Sequence, residues 1–558
     1  MKELSESPDH GGRRVAILFW AIALTLGFIQ AWANRFYMGN DGVPYLDMAD
    51  AYLRGDWHTA LNGYWNPLYA WLIGLDFLIL RPSAYWEFPS IQLINFCCYV
   101  FTVGSFEFLV RALLLARKPA NATGFRLIAY GIFLWTALVL IRVHTCNADM
   151  LVAASLFLSS GILIRAQSRK LAGVLQPVLL GATLAAGYYC KAVMFPVGIL
   201  FLLLACFALG WRRSLTAFSV FVVLSAPLIA GISKIEGRFS YGDTGTLNYA
   251  WYVDGVPFRW WQGGPDGAGQ PEHPPRVALD SPRIYEFGGD MPRNITYPIW
   301  YDSTYWYKGL HAQFLPRRFA KALRANLKGL VVFLLQSGGF LLGLGFCWLR
   351  TKKKQEIRTN FARIWLPAVV SMAGILLYCA VHVETRHVAA FVAIVLVGAY
   401  AVLEIPETGL AATIAIGGLA WSLGSCAVTA SLGSQKLSFE GMLYVPWGHT
   451  STNVPWEAAK GLEKLGVRAG DKVSSVCPSN RSNVYWARLA RVQIVAEPDF
   501  TMNFWQLGDV DQSRVLAALA RSGASIAVAD QPPPDPAREV GWQQVGTTTY
   551  YVRRLSHM

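Results

Sequence analysis

Residues 40–72, NDGVPYLDMADAYLRGDWHTALNGYWNPLYAWL, set four aspartates (Asp41, Asp47, Asp50 and Asp56) among aromatic side chains directly after an apolar run. Carboxylates at a membrane edge are costly to desolvate and more often serve a site than decorate a surface. An ionised carboxylate there suits general-base chemistry on a hydroxyl. Local signals divide the four. Pro44 fits the first turn of a helix and Gly55 its C-terminal cap, predicting a short amphipathic helix over 44–54. Asp47, Asp50 and Arg54 fall at helical spacings on one side of it, so a surface partnership along the helix is the plain account of Asp47. Asp41 precedes the helix. Its plain account is N-capping; its chemical one is a carboxylate pointing into a membrane-facing cavity. Asp41 and Asp47 are the candidate catalytic pair.

Further ionisable groups sit at the ends of apolar runs. Arg142, His144 and Asp149 bracket one turn, Lys191 lies in GYYCKAVMFP, and His382, Glu384, Arg386 and His387 form HVETRH. Cations and carboxylates gathered at one depth suit an anionic lipid headgroup and a proton acceptor. Taken singly, each group is equally explained by basic side chains snorkelling at helix ends. His382, His387 and Glu384 have metal-ligand chemistry, but a five-residue histidine spacing across a turn is unspecific. No metal or cofactor is expected.

The elements that must position these groups are membrane helices. The 558-residue chain is 54% hydrophobic and 15% charged, with a mean hydropathy of +0.33, against about 25% charged residues in a soluble domain. Apolar stretches near 15–35, 88–113, 127–143, 150–165, 172–190, 193–210, 215–233, 327–349, 364–381, 388–403 and 409–431 predict about eleven spans. The first, after Arg13 and Arg14, is long enough to span and lacks a cleavage pattern, so it reads as a retained helix rather than a signal peptide. Basic clusters at 13–14, 117–126, 165–170, 212–213 and 350–358 fall on one side, which the positive-inside rule assigns to the cytoplasm. They account for the net charge of +14 without nucleic acid. One inner loop, 404–407, lacks basic residues. The N-terminus is then inside and the C-terminus outside, and Asp41 shares the outer face with all three clusters. Residues 67–80 are apolar but short, and read as an interfacial helix. The nine cysteines show no disulfide or zinc spacing and read as packing residues.

Two outer segments remain. The loop 234–324 is rich in Trp, Tyr, Gly and Pro, as in WYVDGVPFRWWQGG and TYPIWYDSTYWYKGL. Its aromatics suit interfacial anchoring or stacking on a sugar ring. From about residue 435 the composition is that of a soluble domain. Helical patterns at 456–465, 483–489 and 511–522 alternate with strand patterns at 472–477, 492–496 and 525–529. That alternation predicts a small, largely parallel α/β domain. Two units are expected: a transmembrane domain over 1–434, with outer loops 37–87 and 234–324, and an extracytoplasmic α/β domain over 435–558. Two sequons, at Asn121 and Asn294, carry little: the first should face the cytoplasm.

Over residues 10–405 the chain resembles the GT-C superfamily of integral-membrane glycosyltransferases, in the branch of the protein O-mannosyltransferases and lipid A aminoarabinose transferases. The matching features are the outer-loop Asp41, GDW…NGYWNPLYAWLIG, NADMLVAASLFL, GYYCKAVMFP and VETRH. The resemblance implies a polytopic GT-C-like fold and transfer of a sugar from a polyprenyl-phosphate carrier to a lipid, glycan or protein acceptor on the outer face of a bacterial inner membrane. It maps the family's catalytic base to Asp41. The family's Asp-Glu pair is Asp41-Gly42 here, which leaves Asp47 as a substitute carboxylate or a structural one. The expected substrate-binding set is Tyr64, Trp65, Arg142, His144, Asp149, Lys191, His382, Glu384, Arg386 and His387. Two other functions compete. A transporter or lipid flippase expects broken helices and internal repeats near the midplane; an oligosaccharyltransferase-like enzyme expects a divalent metal.

Overall fold

The computed structural model describes residues 10–39, 41–168, 175–257, 260–263, 269–287, 294–305, 310–352, 354–431, 452–477, 484–534 and 539–555. The boundary expected near residue 435, Arg169 and Lys170 of one basic loop, and Asn483 at a helix start lie outside these. The protein is a bundle of apolar helices with one small sheet region. Eight helices among the described residues are long and apolar enough to cross a membrane. A ninth crossing requires Pro316–Gln336 and Gly338–Arg350 to be counted as one, although they bend by 70°. Leu175–Cys190 and Met194–Leu209 occupy two more of the expected segments, but each has 16 residues, short of the roughly 20 that a bilayer needs. Length and apolarity therefore support eight or nine crossings among the described residues, not eleven. Pro67–Leu80 is a separate 14-residue apolar helix, as the sequence suggests.

Polar contacts gather the loops that carry most of the basic clusters at one end. Arg117 donates from Nε to the Ala401 carbonyl at 2.7 Å and from Nη2 to that of Leu403 at 3.0 Å. Arg363 reaches the Ala116 carbonyl at 3.3 Å, and Gln167 that of Ala362 at 2.7 Å. The loop 404–407 without basic residues is thus served by an arginine of its neighbour, which neutralises carbonyls at a helix C-terminus.

At the opposite end lies a seven-stranded sheet, in the order β1 (Arg276–Asp280), β2 (Arg283–Glu286), β4 (Gln493–Pro498), β3 (Lys472–Ser475), β5 (Ile526–Ala529), β7 (Tyr551–Arg554) and β6 (Gln543–Gln544). Only β4–β3–β5 is parallel; the outer pairs are antiparallel, so the sheet is mixed rather than largely parallel. The three parallel strands are those the sequence predicts. Strands β1 and β2 come from the 234–324 loop, whose aromatics also enter the main core: Trp251, Trp261, Tyr297, Trp300, Tyr301 and Tyr305 are buried.

Candidate active site

Asp41 stands at the N-cap position of the helix Gly42–Leu53, yet its side chain makes no capping bond. Its Oδ2 instead accepts from Arg386 Nη1 at 3.1 Å. The same guanidinium donates from Nε to Glu384 Oε2 at 2.7 Å and lies 3.7 Å from Asp149 Oδ2. Lys191 closes the group by bonding Asp149 Oδ1. Residues up to 345 positions apart are therefore collected around one arginine. The grouping at one end of the bundle read from the loops is a real proximity.

Local chemistry holds each piece. Asn147 Oδ1 accepts the Asp149 amide at 2.9 Å, where that helix begins. Asn326 fixes the HVETRH turn: Nδ2 donates to the Cys379 and Val381 carbonyls at 3.0 and 3.1 Å, and Oδ1 accepts the Val383 amide at 3.3 Å. Asn326→Leu should cost about 1–3 kcal/mol, because carbonyls at the buried helix end lose their donor, and a lowered midpoint in thermal unfolding would register it. Gln92 Nε2 ties the Tyr37 and His144 carbonyls at 2.7 and 3.1 Å. Arg142 ends its helix with a φ of +70°, a conformation that costs a non-glycine residue about 1–3 kcal/mol and gathers at functional sites. Burial pushes its guanidinium pKa down, with Tyr37, Arg386 and Glu384 near enough to bear on it.

Exposure ranks the carboxylates. The Asp149 side chain is 3% exposed, Asp41 18% and Glu384 37%, so the last two are open to solvent and Asp149 is not. Burial favours protonation of Glu384, but Arg386 and His382 outweigh it and hold the carboxyl well below the usual range. A carboxylate so stabilised is a weak base. Asp41 is held by one bond from Arg386 and is 18% exposed. His382 lies 3.6 Å and His387 3.9 Å from Glu384. Their rings are held from the other side, His382 stacked on Tyr252 at 3.7 Å and His387 on Tyr378 at 5.2 Å. His144 is buried behind the turn with its ring 5.6 Å from Tyr37. Among the described residues, no three His, Cys, Asp or Glu side chains gather as a metal site; Arg386 occupies the space between the three carboxylates.

Tyr64 and Trp65 lie beside this cluster through a residue the sequence did not single out. Tyr45 packs its ring 5.1 Å from that of Trp65. Burial and then the charges of Asp41 and Asp149 push its hydroxyl well above the usual tyrosine range. Tyr64 stands 4.7 Å from Trp65 and 6.1 Å from Trp251, and Trp65 6.3 Å from Trp300. The aromatic loop thus forms a wall next to the charged group. Tyr252 and Tyr378 were also missed: Tyr252 is one more aromatic in an aromatic-rich loop, and Tyr378 sits near the end of an apolar helix with nothing in its neighbours to mark it.

Asp47 belongs elsewhere. It is buried in the first-loop helix, where Oδ1 accepts from Arg488 at 2.9 Å and from Thr296 Oγ1 at 2.9 Å, and Oδ2 accepts the Thr296 amide at 2.8 Å. Its partner is not Arg54 on its own helix, and its surface is not solvent. Arg488 also bonds Asp50 Oδ2 at 2.6 Å and Glu87 Oε1 at 2.7 Å. Burial pushes Asp47 up to about 6 despite Arg488 and Thr296, with Asp50 adding to the rise. Gly42 has a steric explanation: a Cβ there would lie 3.0 Å from Met38 Cε and 3.1 Å from Cys146 Cβ. A side chain next to Asp41 would require Met38 and Cys146 to give by a few tenths of an ångström.

No family model and no curated protein matches the sequence. Among solved structures, the chain is similar to ArnT from Cupriavidus metallidurans bound to undecaprenyl phosphate, with 12% identity, a TM-score of 0.48, and coverage of 96% of this chain and 97% of that one. The apo state of the same protein gives 14% identity and a TM-score of 0.48, over 97% and 98% of the two chains. The apo oligosaccharyltransferase of Archaeoglobus fulgidus gives 13% identity and a TM-score of 0.46, over 94% of this chain and 70% of that one.

Proposed function

We propose that the protein is a membrane glycosyltransferase that moves a sugar from a polyprenyl-phosphate carrier to an acceptor hydroxyl, with inversion, at the extracytoplasmic face of a bacterial inner membrane. The observation that carries this reading is the accessible Asp41 carboxylate held 3.1 Å from Arg386, with Lys191 and Asp149 alongside. Asp41 takes the proton of the acceptor hydroxyl as its oxygen attacks the anomeric carbon. The bond from that carbon to the phosphate oxygen breaks, and Lys191, Arg386 and Arg142 stabilise the charge that grows on the departing phosphate. A phosphate bound at Arg386 competes for the guanidinium that holds Asp41. Tyr64, partly exposed, offers a face for the sugar, and Trp65 backs it from within the core. The 1–434 unit carries the chemistry, and the 435–558 unit, on the same side as Asp41, steadies the loop that presents it.

Proteoliposomes supplied with a polyprenyl-phosphate-linked sugar and a hydroxyl acceptor test the proposal. Transfer should release free polyprenyl phosphate in equal amount and persist in EDTA. Loss of activity in EDTA would favour the oligosaccharyltransferase-like alternative, and lipid movement between leaflets without sugar release would favour transport. Lys191→Met should raise the KM for donor by about tenfold to a hundredfold, because a charge-assisted contact to phosphate is worth about 1.5–3 kcal/mol.

A further inference from the structure

A cavity of 540 Å³ opens between the end of the first helix, the end of Pro67–Leu80 and the start of Glu87–Arg117. Its walls are apolar and aromatic, with Phe28, Trp32, Trp86 and Phe96 among them, and its lining includes Arg35 and Arg81 but no acidic residue. The two cations are placed alike. Arg35 follows the last turn of the first helix, and Arg81 is the left-handed C-cap of Pro67–Leu80. Phe28 lies seven residues before Arg35 and Phe96 ten residues after Trp86, so both walls run from the charged rim toward the membrane interior. The Arg35 guanidinium lies over the Trp32 and Phe36 rings at 5.0 and 4.7 Å, which keeps it at the mouth. A groove that is cationic at the rim and apolar below matches an amphiphile with an anionic head.

We propose that this groove holds one anionic glycerophospholipid of the surrounding membrane, its phosphate between Arg35 and Arg81 and an acyl chain along Phe28 and Phe96. The occupant is distinct from the lipid carrying the sugar. Gln92, which lines the groove, spends its amide on the Tyr37 and His144 carbonyls. That bonded side chain stands on the side of the groove toward the Asp41 loop.

The test uses the full-length protein in nanodiscs of phosphatidylcholine with a minor fraction of phosphatidylglycerol, with lipids retained after detergent extraction counted by native mass spectrometry. Wild-type protein should retain phosphatidylglycerol over phosphatidylcholine, and R35Q/R81Q should lose about tenfold of that preference. Phe96→Trp, which fills the apolar end while leaving both arginines, should reduce retention of either lipid. Equal retention of the two lipids by wild-type protein, or an unchanged preference in R35Q/R81Q, overturns the proposal. Displacement of phosphatidylglycerol by undecaprenyl phosphate at equal mole fraction also overturns it, by assigning the groove to the carrier. Lipid retention is read without transfer, so the result is independent of the glycosyltransferase assignment.

Discussion

Asp41→Asn should lower sugar transfer by about 10³-fold while leaving the protein folded and able to bind donor. Removal of a positioned general base costs 10²–10⁴-fold, and the substitution keeps the shape and one oxygen that still accepts from Arg386. The site then loses only the capacity to take a proton. Asp47→Asn is the paired control: Asp47 is spent on Arg488 and Thr296, so this variant should affect thermal unfolding more than turnover. Residual transfer by D41N above about a tenth of wild type would remove Asp41 from the role. The base would then be sought at Glu384, the other accessible carboxylate on Arg386.

Much of this site was legible because the relevant signals are local or topological. Pro44 and Gly55 bound a helix that excludes Asp41, and the structure places that helix at Gly42–Leu53. Sidedness put Arg142, Asp149, Lys191 and Arg386 at one end of the bundle. Sequence could not say that Arg386 would stand among three carboxylates, because no periodicity links positions 41, 149 and 384. The crowding at Gly42 is likewise tertiary: a Cβ there would press on Met38 and on Cys146, the latter on a distant turn.

The failures share a cause. Asp47, Asp50 and Arg54 form a reasonable surface pattern on one helix, and nothing in YWARL announces that Arg488 will be buried against that helix. Strands β1 and β2 have five and four residues inside an aromatic loop, too short for alternation to stand out; they pair with each other, and β2 joins them to the distant β4. The span at 327–349 was read as continuous from its composition, but the chain bends at Ser337, whose side chain turns back to the Leu334 carbonyl at 2.7 Å. In each case a distant partner or a local side-chain bond overrode the pattern along the chain.

The second large effect is expected at Arg488. Its guanidinium is 2% exposed and bonds Asp47, Asp50 and Glu87 at 2.9, 2.6 and 2.7 Å, with Arg491 also reaching Glu87 and Asp50. Three carboxylates face two guanidiniums, so removing one leaves buried negative charge without compensation. Breaking such a pair typically costs about 3–5 kcal/mol. Arg488→Ala should therefore loosen the C-terminal sheet from the Gly42–Leu53 helix, seen as a lower unfolding midpoint and faster proteolysis after residue 452. Adding Glu87→Gln and Asp47→Asn should recover part of the loss, since the unpaired charges then disappear; no recovery would mean that packing rather than charge holds the two together. Transfer should fall as well. Tyr485, one turn before Arg488, donates its hydroxyl to the Gly39 carbonyl at 2.8 Å, two residues before Asp41. Tyr485→Phe isolates that link: it keeps the ring against Phe88, 5.8 Å away, and should lower kcat with little change in unfolding midpoint, as expected if the C-terminal domain helps aim the loop that carries Asp41.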